Sequence, residues 1–237
     1  MRALACIALA TRVAAAGPAL DHVLTAPTAW LPAENAIVVT GGLDHHGGAL
    51  VGLGYGLGRI GEISIGADSD DRACTACSHD DPAPEIYLAR AAFRIGAPPD
   101  AWFAGQPGVA LGVRTTIGGT RRAAEAYVVA SEHLGLATLH VGAIALDADD
   151  AGMRLGTHAR AFAGAELVPP QYPKTTVLAD VGWLVTYEPQ PVLEYALGWG
   201  VRYQALAWGS IELDVRHRQD ERGSPTVMVR VNGVWSP

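Results

Sequence analysis

Residues 192–204 constrain this chain more than any other stretch. One parity carries Leu193, Tyr195, Leu197, Trp199, Val201 and Tyr203, and the other Glu194, Ala196, Gly198, Gly200, Arg202 and Gln204. Successive strand side chains point to opposite faces, so this is a two-faced β-strand, apolar and aromatic on one side, small, polar or charged on the other. A run of about eleven such residues is also what a tilted strand needs to cross a bilayer.

The same alternation recurs along the chain. Ile37, Val39 and Leu43 oppose Thr40 and Asp44; Val51, Leu53 and Tyr55 oppose a row of glycines; Ile63 and Ile65 oppose Glu62 and Ser64. Phe93 and Ile95 oppose Arg90 and Arg94, and Leu111 and Val113 oppose Arg114. Around residues 124–133 the parity is blurred by Tyr127 and Val129, and it then resumes with Leu139 and Val141 opposite Thr138 and His140. Further strands are expected at 155–165, 177–187, 210–218 and 227–235. The total is about twelve antiparallel strands. Their connections alternate between acidic or polar loops, such as 68–84, and mostly tight ones, such as 134–136 and 205–206. An even strand count returns both ends of the chain to the side of the tight turns.

Composition narrows the choice between a soluble sandwich and a membrane barrel. Hydrophobic residues make up 49% of the 237 and charged ones only 17%, with a single lysine, Lys174. A soluble β-surface normally carries many lysines and glutamates. The net charge of −7 excludes a nucleic-acid partner, which requires a basic surface. No apolar run is long enough for a membrane-spanning helix. The N-terminus reads as a secretory signal over residues 1–16, with Arg2, a short apolar core and Ala14, Ala15 and Ala16 as the cleavage site; an alanine-rich helix is the alternative. Residues 17–34, with Pro27 and Pro32, form an irregular lead-in, and 35–237 the β-domain.

The apolar parity carries Tyr55, Tyr87, Trp183, Tyr187, Tyr195, Trp199, Tyr203 and Trp235, several near strand ends, as interfacial aromatic girdles require. The last strand, 227–235, closes on Trp235, with Ser236 and Pro237 following. It resembles the C-terminal strand of bacterial outer-membrane β-barrel proteins. That resemblance implies an antiparallel up-and-down transmembrane β-barrel of about twelve strands in the outer membrane of a Gram-negative bacterium, with the lipid bilayer as partner and no cofactor. A soluble secreted β-sandwich remains the alternative.

In such a barrel the other parity lines the lumen: Glu62, Arg90, Arg94, Arg114, Glu125, His140, His158, Arg160, Asp180, Glu194, Arg202, Glu212, Asp214, Arg216, Arg218 and Arg230. Unpaired charges in a low-dielectric interior are costly, so these pair across strands or share the space with water. Water with a surplus of arginine gives a narrow passive channel for small, anion-leaning solutes. Complete pairing gives a plugged structural or surface-binding barrel. An enzyme is not expected; the one hydrolytic arrangement to weigh is Ser131 with His133, near Glu125. Nor is a metal site expected, although Asp44 with His45 and His46, and Cys74 and Cys77 with His79 and Asp80, carry the residue types for one. Cys74 and Cys77 are expected to form a disulfide within the 68–84 loop. Protein purified from the envelope without reductant should therefore present no alkylatable thiol, and reduction should loosen that loop alone, because the ring closed is small.

Overall fold

The computed structural model describes residues 20, 22–45, 48–58, 60–69, 87–187, 191–219 and 225–236. The expected signal segment 1–16, the Cys74–Cys77 clip, His46, His79, Asp80 and the Tyr87 side chain lie outside the described residues. The strands are β1 (Ile37–Asp44), β2 (Ala49–Gly56), β3 (Gly61–Ser69), β4 (Tyr87–Ala97), β5 (Gly108–Gly118), β6 (Arg121–Leu134) and β7 (Ala137–Asp150). Then follow β8 (Met153–Arg154), β9 (His158–Leu167), β10 (Thr175–Thr186), β11 (Val192–Leu206), β12 (Gly209–Arg218) and β13 (Thr226–Trp235). The two-residue β8 only folds back on the end of β7, pairing Asp149 with Arg154. The other twelve close into one antiparallel barrel, each paired with its neighbours in the chain and β13 returning to β1.

Closure is written in the register. Ile37 opposite Trp235 and Asp44 opposite Met228 set β1 against β13 along its whole length. A one-residue slip would turn every apolar side chain into the lumen, so the alternation itself fixes this pairing. The β6–β7 hairpin turns through Gly135 at φ +68°, a conformation that L side chains resist and that matches the twist of the flanking strands. Connections on the side of the chain ends include this two-residue turn and longer segments at 98–107 and 168–174. On the opposite side, 119–120 is as tight as any.

The outer face is apolar. Leu43 is 65% exposed, Ile65 63%, Val141 60% and Trp199 59%, whereas the inward Glu212, Asp214 and Arg230 are each 1% exposed. This is a soluble protein turned inside out, and hydrocarbon is the surrounding it fits. Tyr55, Tyr195, Tyr203 and Trp235 lie on that outer face, and Trp235 stacks on Trp208 at 4.6 Å beside the β11–β12 turn.

Tyr187 corrects the expected aromatic belt. It is 6% exposed and packs with Leu88, Ala123, Leu146 and Ala148 at the mouth opposite the chain ends, under the Arg121 guanidinium 5.6 Å from its ring. β10 ends at Thr186, so alternation no longer governs the next residue, and the chain bends over the opening. The strand expected at 155–165 also starts later, at His158, and points Phe162 inward.

Leu197 lies mid-strand on the outer face, opposite Val181. Leu197→Arg should cost roughly 2–4 kcal/mol of barrel stability in bilayers, whereas Leu197→Val should cost little. Urea titration of protein folded into lipid vesicles measures the difference.

Candidate functional site

Residues 22–30 of the lead-in are inside the barrel. Val23, Ala26 and Thr28 are 0% exposed, and Leu24 and Ala29 nearly so. His22 and Pro27 form an isolated antiparallel bridge, and the Val23 N–H donates to the Ala26 carbonyl at 2.9 Å, so the segment doubles back on itself. The Thr28 hydroxyl donates to the Leu20 carbonyl at 2.6 Å. An irregular backbone at membrane depth is tolerated only when buried in protein with its polar groups satisfied, and the barrel wall supplies the partners.

Asp180 is the main anchor. The N–H groups of Leu24, Thr25 and Ala26 donate to its Oδ2 at 3.1, 2.5 and 2.6 Å. Three consecutive donors converging on one carboxylate oxygen form an anion nest, here filled by a side chain of the wall. The plug carbonyls are met by arginines: Arg202 donates to Val23 O, Arg230 to Leu24 O and Arg94 to Thr28 O, each at 3.2 Å. Room for this contact comes from glycines flanking Asp180. A Cβ at Gly164, Gly182 or Gly198 would come within 2.8 Å of Val23, 2.7 Å of Thr25 or 2.9 Å of Leu24.

The same arginines are tied to carboxylates of the wall. Arg94 Nε donates to Glu62 at 2.6 Å, and Arg114 Nε to Glu125 at 2.8 Å, each pair in direct register across neighbouring strands. Arg202, Glu212, Arg230 and Asp214 run as a chain over β11, β12 and β13, with contacts of 2.8, 3.3 and 3.2 Å. Arg202 also lies 3.6 Å from Glu166. Nearer the far mouth, Arg90 reaches Asp68 at 3.2 Å, and Glu194 accepts from the Thr186 hydroxyl at 3.0 Å. Arg216, opposite Gly198, and Arg218, opposite Ala196, are buried as well. His158 donates from Nε2 to the Leu155 carbonyl at 3.2 Å. Arg160 keeps the inward parity, opposite Ile144, but is exposed, with its guanidinium 5.4 Å from the Trp183 ring.

Ser131 pairs with His140 rather than with His133. Its hydroxyl lies 2.7 Å from His140 Nδ1 and accepts from the Ala29 N–H at 2.8 Å. With the hydroxyl proton donated to Nδ1, the imidazole keeps its proton on Nε2, 3.7 Å from Glu166. His133 instead bonds the Thr138 hydroxyl at 2.8 Å and stacks under Trp30. The Ser131/His133 arrangement weighed from the sequence does not form, because the two alternate inward positions face different partners across the β6–β7 register, Ser131 opposite His140 and His133 opposite Thr138. Ser131 and His140 are sealed beneath Trp30 and Ala29, and Ser131 is engaged as a seat for the plug.

Sequence reasoning missed the plug, Glu166 and the inward apolar residues. Val129, Ile144 and Phe162 pack with Ala26, Ala29 and Ala110, and Leu178 with Val23 and Leu24. The lumen is therefore two-sided over part of its length: Val129, Ile144 and Phe162 form an apolar patch on β6, β7 and β9, and Arg202, Glu212, Asp214 and Arg230 a charged one on β11 to β13. The signal was present in two places that had to be combined. Apolar residues at 20–29 without a strand period needed burial, and glycines on the inward parity of β9 to β11 left a vacancy.

No protein-family model matches the sequence, and no curated protein matches it. Among solved structures, a KdgM porin in complex with disordered oligogalacturonate matches over 85% of this chain and 99% of its own, at 6% identity and a TM-score of 0.58. The KdgM porin alone matches over the same shares at 7% identity and a TM-score of 0.56. The Acinetobacter baumannii outer membrane protein Omp33 matches over 84% of this chain and 97% of its own, at 9% identity and a TM-score of 0.49. At these identities the likeness is one of fold: the chain has the closed β-barrel of bacterial outer-membrane proteins.

Asp180→Ala removes the acceptor of three charge-assisted bonds, each contributing about 1.5–3 kcal/mol, and should free the plug without breaking the barrel. A cysteine placed at Thr25 should then react with a membrane-impermeant maleimide at least tenfold faster than in the Asp180 parent, with heat-modifiable migration on gels unchanged.

Proposed function

We propose that the protein is an outer-membrane channel for small solutes, held closed by residues 22–30 and conducting when that segment yields. The observation that carries this reading is the way the segment is held. Its polar attachments include hydrogen bonds between its backbone and Asp180, Ser131, Arg94, Arg202 and Arg230, beside the Trp30 stack on His133 and the apolar contacts of Val23, Leu24, Ala26 and Ala29. Such contacts can be exchanged for water one at a time, unlike a continuous packed core. Once the segment moves, the arginines that met its carbonyls regain free donors facing the lumen. That favours anions, and Arg216 and Arg218 on the far side of Asp180 add to it.

The charge chain Glu212–Arg230–Asp214 supports a second reading, a structural barrel with a permanently filled lumen, since removing one member of a buried pair costs about 3–5 kcal/mol. In neither reading does Ser131 act as a nucleophile; it and His140 belong to the seat of the plug.

Planar-bilayer recording separates the two. Wild-type protein should show a low steady conductance, and Asp180→Ala a severalfold larger one. Its reversal potential in a salt gradient should favour anions, and the preference should fall in Asp180→Ala combined with Arg216→Gln and Arg218→Gln. A correctly assembled Asp180→Ala barrel without conductance would decide for the structural reading.

A further inference from the structure

The barrel wall is incomplete at one seam. β9 and β10 pair over five residues only, from Val177 opposite Leu167 to Val181 opposite Ala163. Beyond that point each strand continues on its other side: β10 with β11 as far as Thr186 opposite Val192, and β9 with β7 as far as Leu146 opposite His158. Toward the mouth opposite the chain ends, residues 158–162 and 182–186 thus face each other without ladder bonds. A bilayer offers no partner for a bare strand edge. Side chains supply partners instead: Trp183 Nε1 donates to the Ala161 carbonyl at 2.7 Å, and Arg160 to the Ala159 carbonyl at 3.0 Å.

What lies behind the seam is apolar. The Trp183 indole packs on the cluster of Val129, Ile144 and Phe162, so it is a wedge between the lumen and the outer face. The Arg160 guanidinium sits over the same ring at 5.4 Å and is itself exposed, a cation at the entrance of an apolar passage. A laddered stretch opens only by unzipping the sheet, whereas parting this stretch would require rotation of the Trp183 and Arg160 side chains alone.

We propose that the β9–β10 seam is a lateral port through which a single-chain amphiphile with an anionic head group exchanges between the lumen and the outer leaflet. The chain lies against Phe162, Ile144 and Val129, displacing Trp183, and the head group pairs with Arg160. Charge complementarity selects the acid over a neutral amphiphile, and the single-sided apolar wall selects one chain over two. The inference deepens the channel reading, on which it rests for a lumen that admits solutes.

The test uses 11-(dansylamino)undecanoic acid with protein in nanodiscs. Saturable binding is expected, competed by decanoate at least tenfold better than by decanol, and weakened at least tenfold by Arg160→Gln. On a background with Cys74→Ser and Cys77→Ser, Ala159→Cys and Val185→Cys stand opposite each other across the open seam. Oxidation of that pair should slow probe release at least tenfold, with recovery on reduction, while Trp183→Ala should accelerate it without needing a cross-link. Ion conductance of Asp180→Ala should not change when the seam is locked, so a loss of the port and a loss of the channel read out separately. Absence of saturable binding, equal competition by decanol, or release indifferent to both the cross-link and Trp183→Ala would overturn the proposal.

Discussion

Hydrocarbon has no hydrogen-bond donors or acceptors, and most of this structure is a response to that. Every backbone group at membrane depth must find its partner within the protein, so the strands close on themselves with Ile37 against Trp235 rather than ending in free edges. The same constraint governs the irregular segment inside. A chain without strand or helix pairing can occupy the barrel only because Asp180, Ser131 and three arginines take over what a ladder would have supplied. Where the β9–β10 ladder lapses, an indole and a guanidinium complete the exposed carbonyls.

The charged interior follows from the plug as much as from the wall. An arginine has five donors, and a carboxylate partner on the neighbouring strand uses two at most in a bidentate pair. Arg94, Arg202 and Arg230 each bond a wall carboxylate and a plug carbonyl at once. These lumen arginines therefore have a structural use while the plug is in place. That arrangement couples the two: moving the plug alters the field in the lumen, and neutralising the lumen arginines loosens the plug.

Apolar side chains divide the lumen lengthwise. With Val129, Ile144 and Phe162 on one side and Glu212, Asp214 and Arg230 on the other, the cross-section is amphipathic, which is unusual for a space meant only for water and ions. Ala26 and Ala29 of the plug lie against the first side, and the Val23 and Leu24 carbonyls meet the arginines of β11 and β13. The seam beside Trp183 opens from the apolar side.

The sequence by itself determined the barrel. Period-two alternation over 37–44, 87–97 and 192–206, an aromatic-tipped last strand and the scarcity of lysine depend only on which face each residue meets, and strand geometry turns that into architecture. It also placed Glu62, Arg94, Glu212 and Arg230 on the inward parity. Only the tertiary structure decided which of these pair, that Ser131 meets His140 instead of His133, and that Tyr187 turns inward once β10 has ended. It alone put residues 22–30 in the lumen and ended the β9–β10 ladder at Val181 opposite Ala163. Parity is local, a property of consecutive residues, whereas register, the filling of a vacancy and the lapse of a ladder depend on residues as far apart as Leu24 and Asp180, which no pattern within one strand encodes.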